Sequence, residues 1–333
     1  MIKTVRIGTR ESKLAVIQAQ LVAAAIQKFD PGIRIELVKI KTTGDMVLDK
    51  TLDKIGGKGL FIKELDAALQ NGKVDICVHS YKDMPADDDP EFPVVAVSPR
   101  EDARDVMILP VGADVIDPIK PVGCSSKRRQ VQFNAIYPGQ AIAPIRGNVL
   151  TRIEKLDRGE FSALTLAAAG IKRLRLWERC SRVFTPEEML PSACQGILAI
   201  QGRRNGDYTY LMHYNDHDAR DASKAERAFI RRLDCGCGAP VGAYAQINGN
   251  ELRLSGMIVI SAGGTSPSGK VILAGGTIPA GGTISARGAI PAGGAISARV
   301  ANEDGIIHRD EISGNREDAE KLGMTLAQKM LRY

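Results

Sequence analysis

The 333-residue chain has no run of 18 apolar residues, so no membrane span is expected. Aromatic residues make up only 5%, and no basic patch carries interleaved aromatics. That argues against a single-stranded nucleic acid as ligand. There are four histidines and six cysteines. Cys235-Gly236-Cys237 has one intervening residue, which is not a zinc or redox spacing, and no metal site is expected. The other cysteines are scattered and read as free thiols of a reducing compartment. The N-terminal residues enter a strand pattern directly, with no signal-peptide apolar stretch, and the expected location is the cytoplasm.

What remains is a soluble globular composition, 44% hydrophobic and 25% charged, long enough for two or three domains. The net charge of +6 permits an acidic partner without naming one.

The stretch Val74 to Pro85 organises the reading. Val74, Ile76 and Val78 suit a buried strand. Pro85 cannot extend a central strand, which puts Lys82 and Asp83 at the strand's exit. Ligands of open α/β sheets bind at such carboxyl ends. A lysine beside a carboxylate there can bind an anion and move a proton. Taken alone, the pair reads equally as a solvated turn.

Earlier in the chain, Val5 to Gly8 reads as a first strand. Thr9-Arg10-Glu11-Ser12 then leads into a helix to about Phe29, with Leu14, Ile17, Leu21 and Ala25 as its inward face. Thr9 or Ser12 can cap it. Ile33 to Lys41 alternates as a strand. A loop rich in glycine and lysine, Lys54-Ile55-Gly56-Gly57-Lys58-Gly59, precedes a helix stopped by Gly72. It lacks P-loop spacing.

Ser98 to Asp102 is a first candidate crossing between domains, and Leu190 to Gly196 a second. Between them, basic turns follow successive strands: Ser125-Ser126-Lys127-Arg128-Arg129, then Arg146 to Arg152, then Lys172-Arg173. Cations at a helix N-terminus are unfavourable, so a ligand that offsets the cost is expected. Two crossings between two α/β lobes make a hinged cleft.

A helix from Asp218 to Leu233, with Ala225, Phe229 and Leu233 inward, leads to the Cys235-Gly236-Cys237 loop and then to strands. Residues 276–287 and 288–299 form a 12-residue tandem repeat, expected to be a surface insertion without chemistry.

Taken in order, the motifs Thr9 to Ser12, Gly56 to Phe61, Val78 to Pro85, Ser125 to Gln130, Arg146 to Val149, Ala169 to Leu174, Gln195-Gly196 and Cys237 to Pro240 resemble the porphobilinogen deaminase (hydroxymethylbilane synthase) family. The resemblance implies head-to-tail condensation of four porphobilinogens with loss of ammonia to give hydroxymethylbilane. It also implies a dipyrromethane cofactor joined by a thioether to Cys237. Asp83 matches the catalytic aspartate and also faces the cofactor. Ser80, Lys82, Ser126, Arg128 and Arg129 match positions that hold cofactor carboxylates. Arg10, Ser12, Gln18, Arg146, Arg152 and Arg173 match positions that hold substrate or the growing chain. Lys54 and Lys58 match a mobile loop over the site. Cys124, Lys127, Leu150 and Gly238-Ala239 depart from the family pattern.

The expected fold is α/β, with two periplasmic-binding-protein-like lobes around a hinged cleft. They are residues 1–98 with 197–215, and residues 102–191. A small α+β cofactor-attachment domain, 218–333, carries the repeat insertion near 262–299. The expected protein is a monomer taking a small-molecule substrate, without nucleic acid or membrane. A non-enzymatic two-lobed anion-binding protein is the alternative.

Overall fold

The computed structural model describes residues 4–46, 62–234, 239–260, 298–302 and 305–332. The chain starts with β1 (Thr4–Arg10), the helix Lys13–Phe29, β2 (Arg34–Ile40), the helix Lys63–Gln70, β3 (Ile76–Ser80) and β4 (Val94–Val97). It crosses to β5 (Asp105–Ile108), β6 (Val122–Gly123), the helix Lys127–Ile136, β7 (Ile142–Ala143), the helix Val149–Asp157, β8 (Ala163–Ala167), the helix Ala168–Arg173 and β9 (Arg182–Val183). It then returns as β10 (Leu198–Gly202).

The first sheet has the order β2-β1-β3-β10-β4 and the second β7-β6-β8-β5-β9. In each, four of the five strands run the same way and one, fourth in the order, runs antiparallel between its neighbours. That antiparallel strand is the one entering directly after a crossing. The two lobes therefore repeat one topology, and the carboxyl ends of each lobe's parallel strands meet at one edge. Arg10 follows β1 and Asp83 follows β3; Arg128 and Arg129 follow β6, and Arg146 follows β7.

The two crossings lie side by side. Ser98 N–H donates to Leu198 O at 3.0 Å, and Leu198 N–H to Ser98 Oγ at 2.9 Å. Glu101 N–H donates to Gly196 O at 3.2 Å. Gly196 has φ +92°, and a Cβ there would stand 2.1 Å from Glu101 O. Only glycine fits that contact.

The inward face of the helix Lys13–Phe29 differs from the sequence expectation. Ala15, Ala19, Val22 and Ile26 are buried, whereas Leu21 is 46% exposed. The alanine-rich stretch offers two stripes at the same spacing, and its larger side chains do not mark the core side. Leu14 instead points towards Gly170 of the second lobe. Thr9 and Ser12 divide the helix start between them. Ser12 Oγ accepts from Ala15 N–H at 3.3 Å, and Thr9 Oγ donates to Ala15 O at 3.0 Å.

The third unit has the helix His217–Leu233, β11 (Gly242–Asn248), β12 (Glu251–Ile260), β13 (Ala298–Asn302), β14 (Gly305–Asn315) and the helix Ala319–Met330. Its antiparallel sheet has the order β11-β12-β14-β13. Phe229, Leu233, Leu254, Ile258, Leu326 and Met330 fill the core between sheet and helices. The two helices touch where a Cβ on Gly323 would come within 2.2 Å of Ala225 O. The repeat expected as an insertion lies outside the described residues up to 297.

The expectation of two α/β lobes and a small C-terminal sheet domain is met. Among the described residues no helix is long and apolar enough to cross a membrane. No group of three or more His, Cys, Asp or Glu side chains is placed to hold a metal among them.

Candidate active site

β3 ends at Ser80, and the turn Tyr81–Asp83 swings Lys82 and Asp83 out at the strand's exit. Asp83 is exposed, and Tyr81 is buried beneath it. A small recess, partly open to solvent, is lined by Arg10, Gln18, His79, Ser80, Asp83 and Met84. Gln18 Nε2 donates to Ser80 Oγ at 2.9 Å, which fixes the hydroxyl at the recess wall. Gln201 Nε2 donates to Phe92 O, so its carbonyl oxygen receives His79 Nε2–H at 3.0 Å. Burial pushes His79 down to about 4 and keeps the imidazole neutral.

The second lobe contributes a buried charge cluster. Asp105, fully buried at the start of β5, accepts from Arg128 Nη1 at 2.7 Å and from Arg129 Nε at 3.0 Å. Burial opposes its ionisation, but the two guanidiniums outweigh that and hold it well below the usual carboxylate range. Arg128 also donates to Leu190 O at 2.6 Å. One carboxylate serves two guanidiniums, so the trio keeps one net positive charge. Asp105 thus meets part of the cost of cations at this helix start, beside the ligand expected there.

Gln195, fully buried on the second crossing, joins the lobes. Its Nε2 donates to Asp105 at 2.9 Å and to Ala103 O at 2.6 Å. Its Oε1 accepts from Lys82 Nζ at 3.2 Å. Burial, with Arg129 adding repulsion, pushes Lys82 down to about 8, against the pull of Asp83 and Asp105. Burial likewise pushes Arg152 down to about 10, with Arg129 and Arg146 adding to it. Asp83 stands in the same field, acting on Lys82, Arg129 and Arg152.

Residues 5–210 match the family model described as "Porphobilinogen deaminase, dipyromethane cofactor binding domain", and residues 221–275 match the "Porphobilinogen deaminase, C-terminal domain". The chain belongs to the porphobilinogen deaminase family. It is 58% identical over 255 residues to the porphobilinogen deaminase of Acetivibrio thermocellus, covering 77% of this chain and 87% of that one. To the same-named protein of Alkaliphilus oremlandii it is 58% identical over 258 residues, covering 78% and 87%. To that of Chromobacterium violaceum it is 43% identical over 277 residues, covering 80% and 85%.

A dipyrromethane bears carboxylates, and the donor set here suits it. Two half-neutralised arginines stand close enough to a recessed lysine to act on it, and a serine hydroxyl lines the adjoining recess. The structure brings Ser80, Lys82, Asp83, Arg128, Arg129 and Arg152 together, with Arg10 and Gln18 in the adjoining recess. Arg152 is braced by its own turn, Nε donating to Gly147 O at 2.9 Å. Ser126 begins the helix Lys127–Ile136 in extended conformation, and its hydroxyl makes no cap bond. Ser12 serves first as a helix cap. Arg173 lies apart from the cluster and donates to Gly196 O of the second crossing at 2.6 Å. Cys237, Lys54 and Lys58 lie outside the described residues.

Four supporting residues of the site are absent from the sequence-based set. Asp105 sits in a charged stretch that reads as surface, and Gln195 appears there only as part of a motif. Glu226, fully buried, accepts from Arg100 Nη2 at 2.8 Å on the first crossing and from Cys194 N–H at 2.5 Å on the second. Arg227 Nη2 donates to Pro85 O at 2.8 Å, Ala86 O at 3.1 Å and Asp88 at 2.7 Å, and its guanidinium lies 4.6 Å from the Tyr81 ring centre. The third unit thus braces the Asp83 turn from behind. The only signal for either residue is a charge pair on an otherwise apolar helix face.

Proposed function

We propose that the chain is a transferase that condenses four porphobilinogens head to tail, each losing ammonia, into hydroxymethylbilane. The observation carrying this reading is the placement of Asp83 at one lobe's sheet edge, in the electrostatic field of the other lobe's Arg129 and Arg152. An exposed carboxylate there can give a proton to the departing amine and stabilise the cation left on the pyrrole. Arg128, Arg129, Lys82, Ser80 and Ser126 hold the cofactor's carboxylates. Arg10, Ser12, Gln18, Arg146, Arg152 and Arg173 receive the acetate and propionate groups of substrate and growing chain, because arginine forks bind carboxylates bidentately and stay charged. Lys54 and Lys58 join this reading by motif alone. When bound, the dipyrromethane supplies the primer to which the first substrate is joined, and Cys237 is its attachment point.

The working units in this reading are residues 1–98 with 197–215, 102–191 and 218–333, hinged at the paired crossings, in a cytoplasmic monomer. The burial of Arg128 and Arg129 around Asp105 counts against a basic surface for nucleic acid.

The test is the intact mass of purified protein with an Ehrlich aldehyde colour reaction on the same sample. A mass excess of two porphobilinogens less two ammonias, absent in Cys237→Ala, is the expected result. An unmodified chain that also fails to load when given porphobilinogen would overturn it.

A further inference from the structure

The buried link between the lobes deepens this reading and rests on it. Asp105 and Gln195 are both fully buried, and neither belongs to the residues placed against substrate or cofactor above. Between them they satisfy four elements at once. Asp105 takes Arg128 and Arg129 from the helix Lys127–Ile136. Gln195 takes Asp105 from β5 and Lys82 from the turn after β3. Ser192 Oγ donates to the same Gln195 oxygen at 3.3 Å, which orients the amide. The run Lys82–Gln195–Asp105–Arg128/Arg129 therefore spans the cleft through the second crossing, with every group in a fixed donor or acceptor role.

We propose that Asp105 and Gln195 are positioning residues that set the cofactor-binding cations of both lobes as one unit. Asp105 locks the two arginines in a single orientation, and Gln195 ties Lys82 to that orientation. A rotation of one lobe against the other that moves Lys82 relative to Asp105 must break Gln195's bond to one of the two. The link also shares charge: the groups facing Lys82 are Arg128 and Arg129 from the helix, Asp105 from β5 and Asp83 from its own turn.

The experiment compares full-length wild type, Asp105→Asn and Gln195→Glu as purified. Two quantities are read: the covalently loaded fraction by intact mass, and the pH midpoint of Lys82 acetylation by trace acetic anhydride, followed on its peptide. Gln195→Glu puts a carboxylate against Lys82 and should raise the midpoint, which starts at about 8, by roughly one unit, a roughly fivefold slower reaction at pH 8. Asp105→Asn removes the carboxylate that balances the arginines. It should lower the midpoint by a comparable step and cut the loaded fraction about tenfold. Shifts of opposite sign from two neighbouring substitutions are not a consequence of general loosening. If Asp105→Asn does not fold, Gln195→Glu decides alone by its midpoint. Wild-type loading with an unmoved Lys82 midpoint in the folded variants overturns the link. A wild-type chain that never carries or accepts the pigment overturns the functional reading instead, whatever the lysine does.

Discussion

Replacing Arg227 with methionine tests how far the third unit governs the turn that carries Asp83. Methionine keeps much of the apolar stem packing and removes the guanidinium. The lost contacts are one nitrogen's bonds to Pro85 O, Ala86 O and Asp88, and the face of the Tyr81 ring. Two donor hydrogens to backbone carbonyls from a charged group contribute about 3 kcal/mol. The cation–π contact, on a nearly buried ring, adds about 1 kcal/mol. The Asp88 partner is 49% exposed, so that ion pair adds little. Pro85 and Ala86 are only half-buried, and water can replace part of what they lose. The net expectation is about 2 kcal/mol, and that energy is spent on holding the segment after Asp83. If the productive turn is disfavoured by that amount, kcat falls roughly tenfold to thirtyfold, with KM changing less. Steady-state porphobilinogen consumption and urea unfolding, measured on the same preparation, give both numbers. A variant with lowered unfolding stability but wild-type kcat would refute the bracing role, because the turn would then hold Asp83 unaided.

Asp83→Asn should keep the fold and the loading but nearly abolish turnover; turnover near wild type would remove Asp83 from the chemistry. Gly196→Ala forces a Cβ into Glu101 O at positive φ and should cost about 3 kcal/mol or more, seen as a lowered urea midpoint. An unchanged midpoint would mean the crossings can slide apart freely. His79, buried and held down to about 4, stays neutral in the fold while the unfolded chain takes up a proton near 6.5. Its contribution is therefore present above pH 6.5 and is lost as pH falls towards 4, on the order of 3 kcal/mol across that window. His79→Gln should flatten that part of the stability curve, and an equally steep acid decline would assign it to other groups. Phe229→Ala should cost about 4 kcal/mol by opening the core between helix and sheet of the third unit, again read from urea unfolding.

Local order was legible from the chain. The strand before Ser80, the proline-stopped turn carrying Lys82 and Asp83, the glycine after the helix Lys63–Gln70 and the inward Ala225, Phe229 and Leu233 all follow from spacing and backbone preference. The recurrence of arginines after β6, β7 and β8 predicts one charged sheet edge, because parallel strands end on the same side. The buried face of the first helix is not marked in its sequence, because alanine carries no side-chain bulk to mark the core.

The charge partners were decided by tertiary structure alone. Asp105 lies 23 residues from Arg128, Gln195 lies 113 from Lys82, and Arg227 lies 142 from Pro85. Spacing encodes which side of a helix or strand a residue occupies, but carries no information on which distant carboxylate will be buried against it. Those pairings exist only once the crossings lie together and the third unit closes behind the turn. Only then does burial exclude the water that would otherwise satisfy each charge separately.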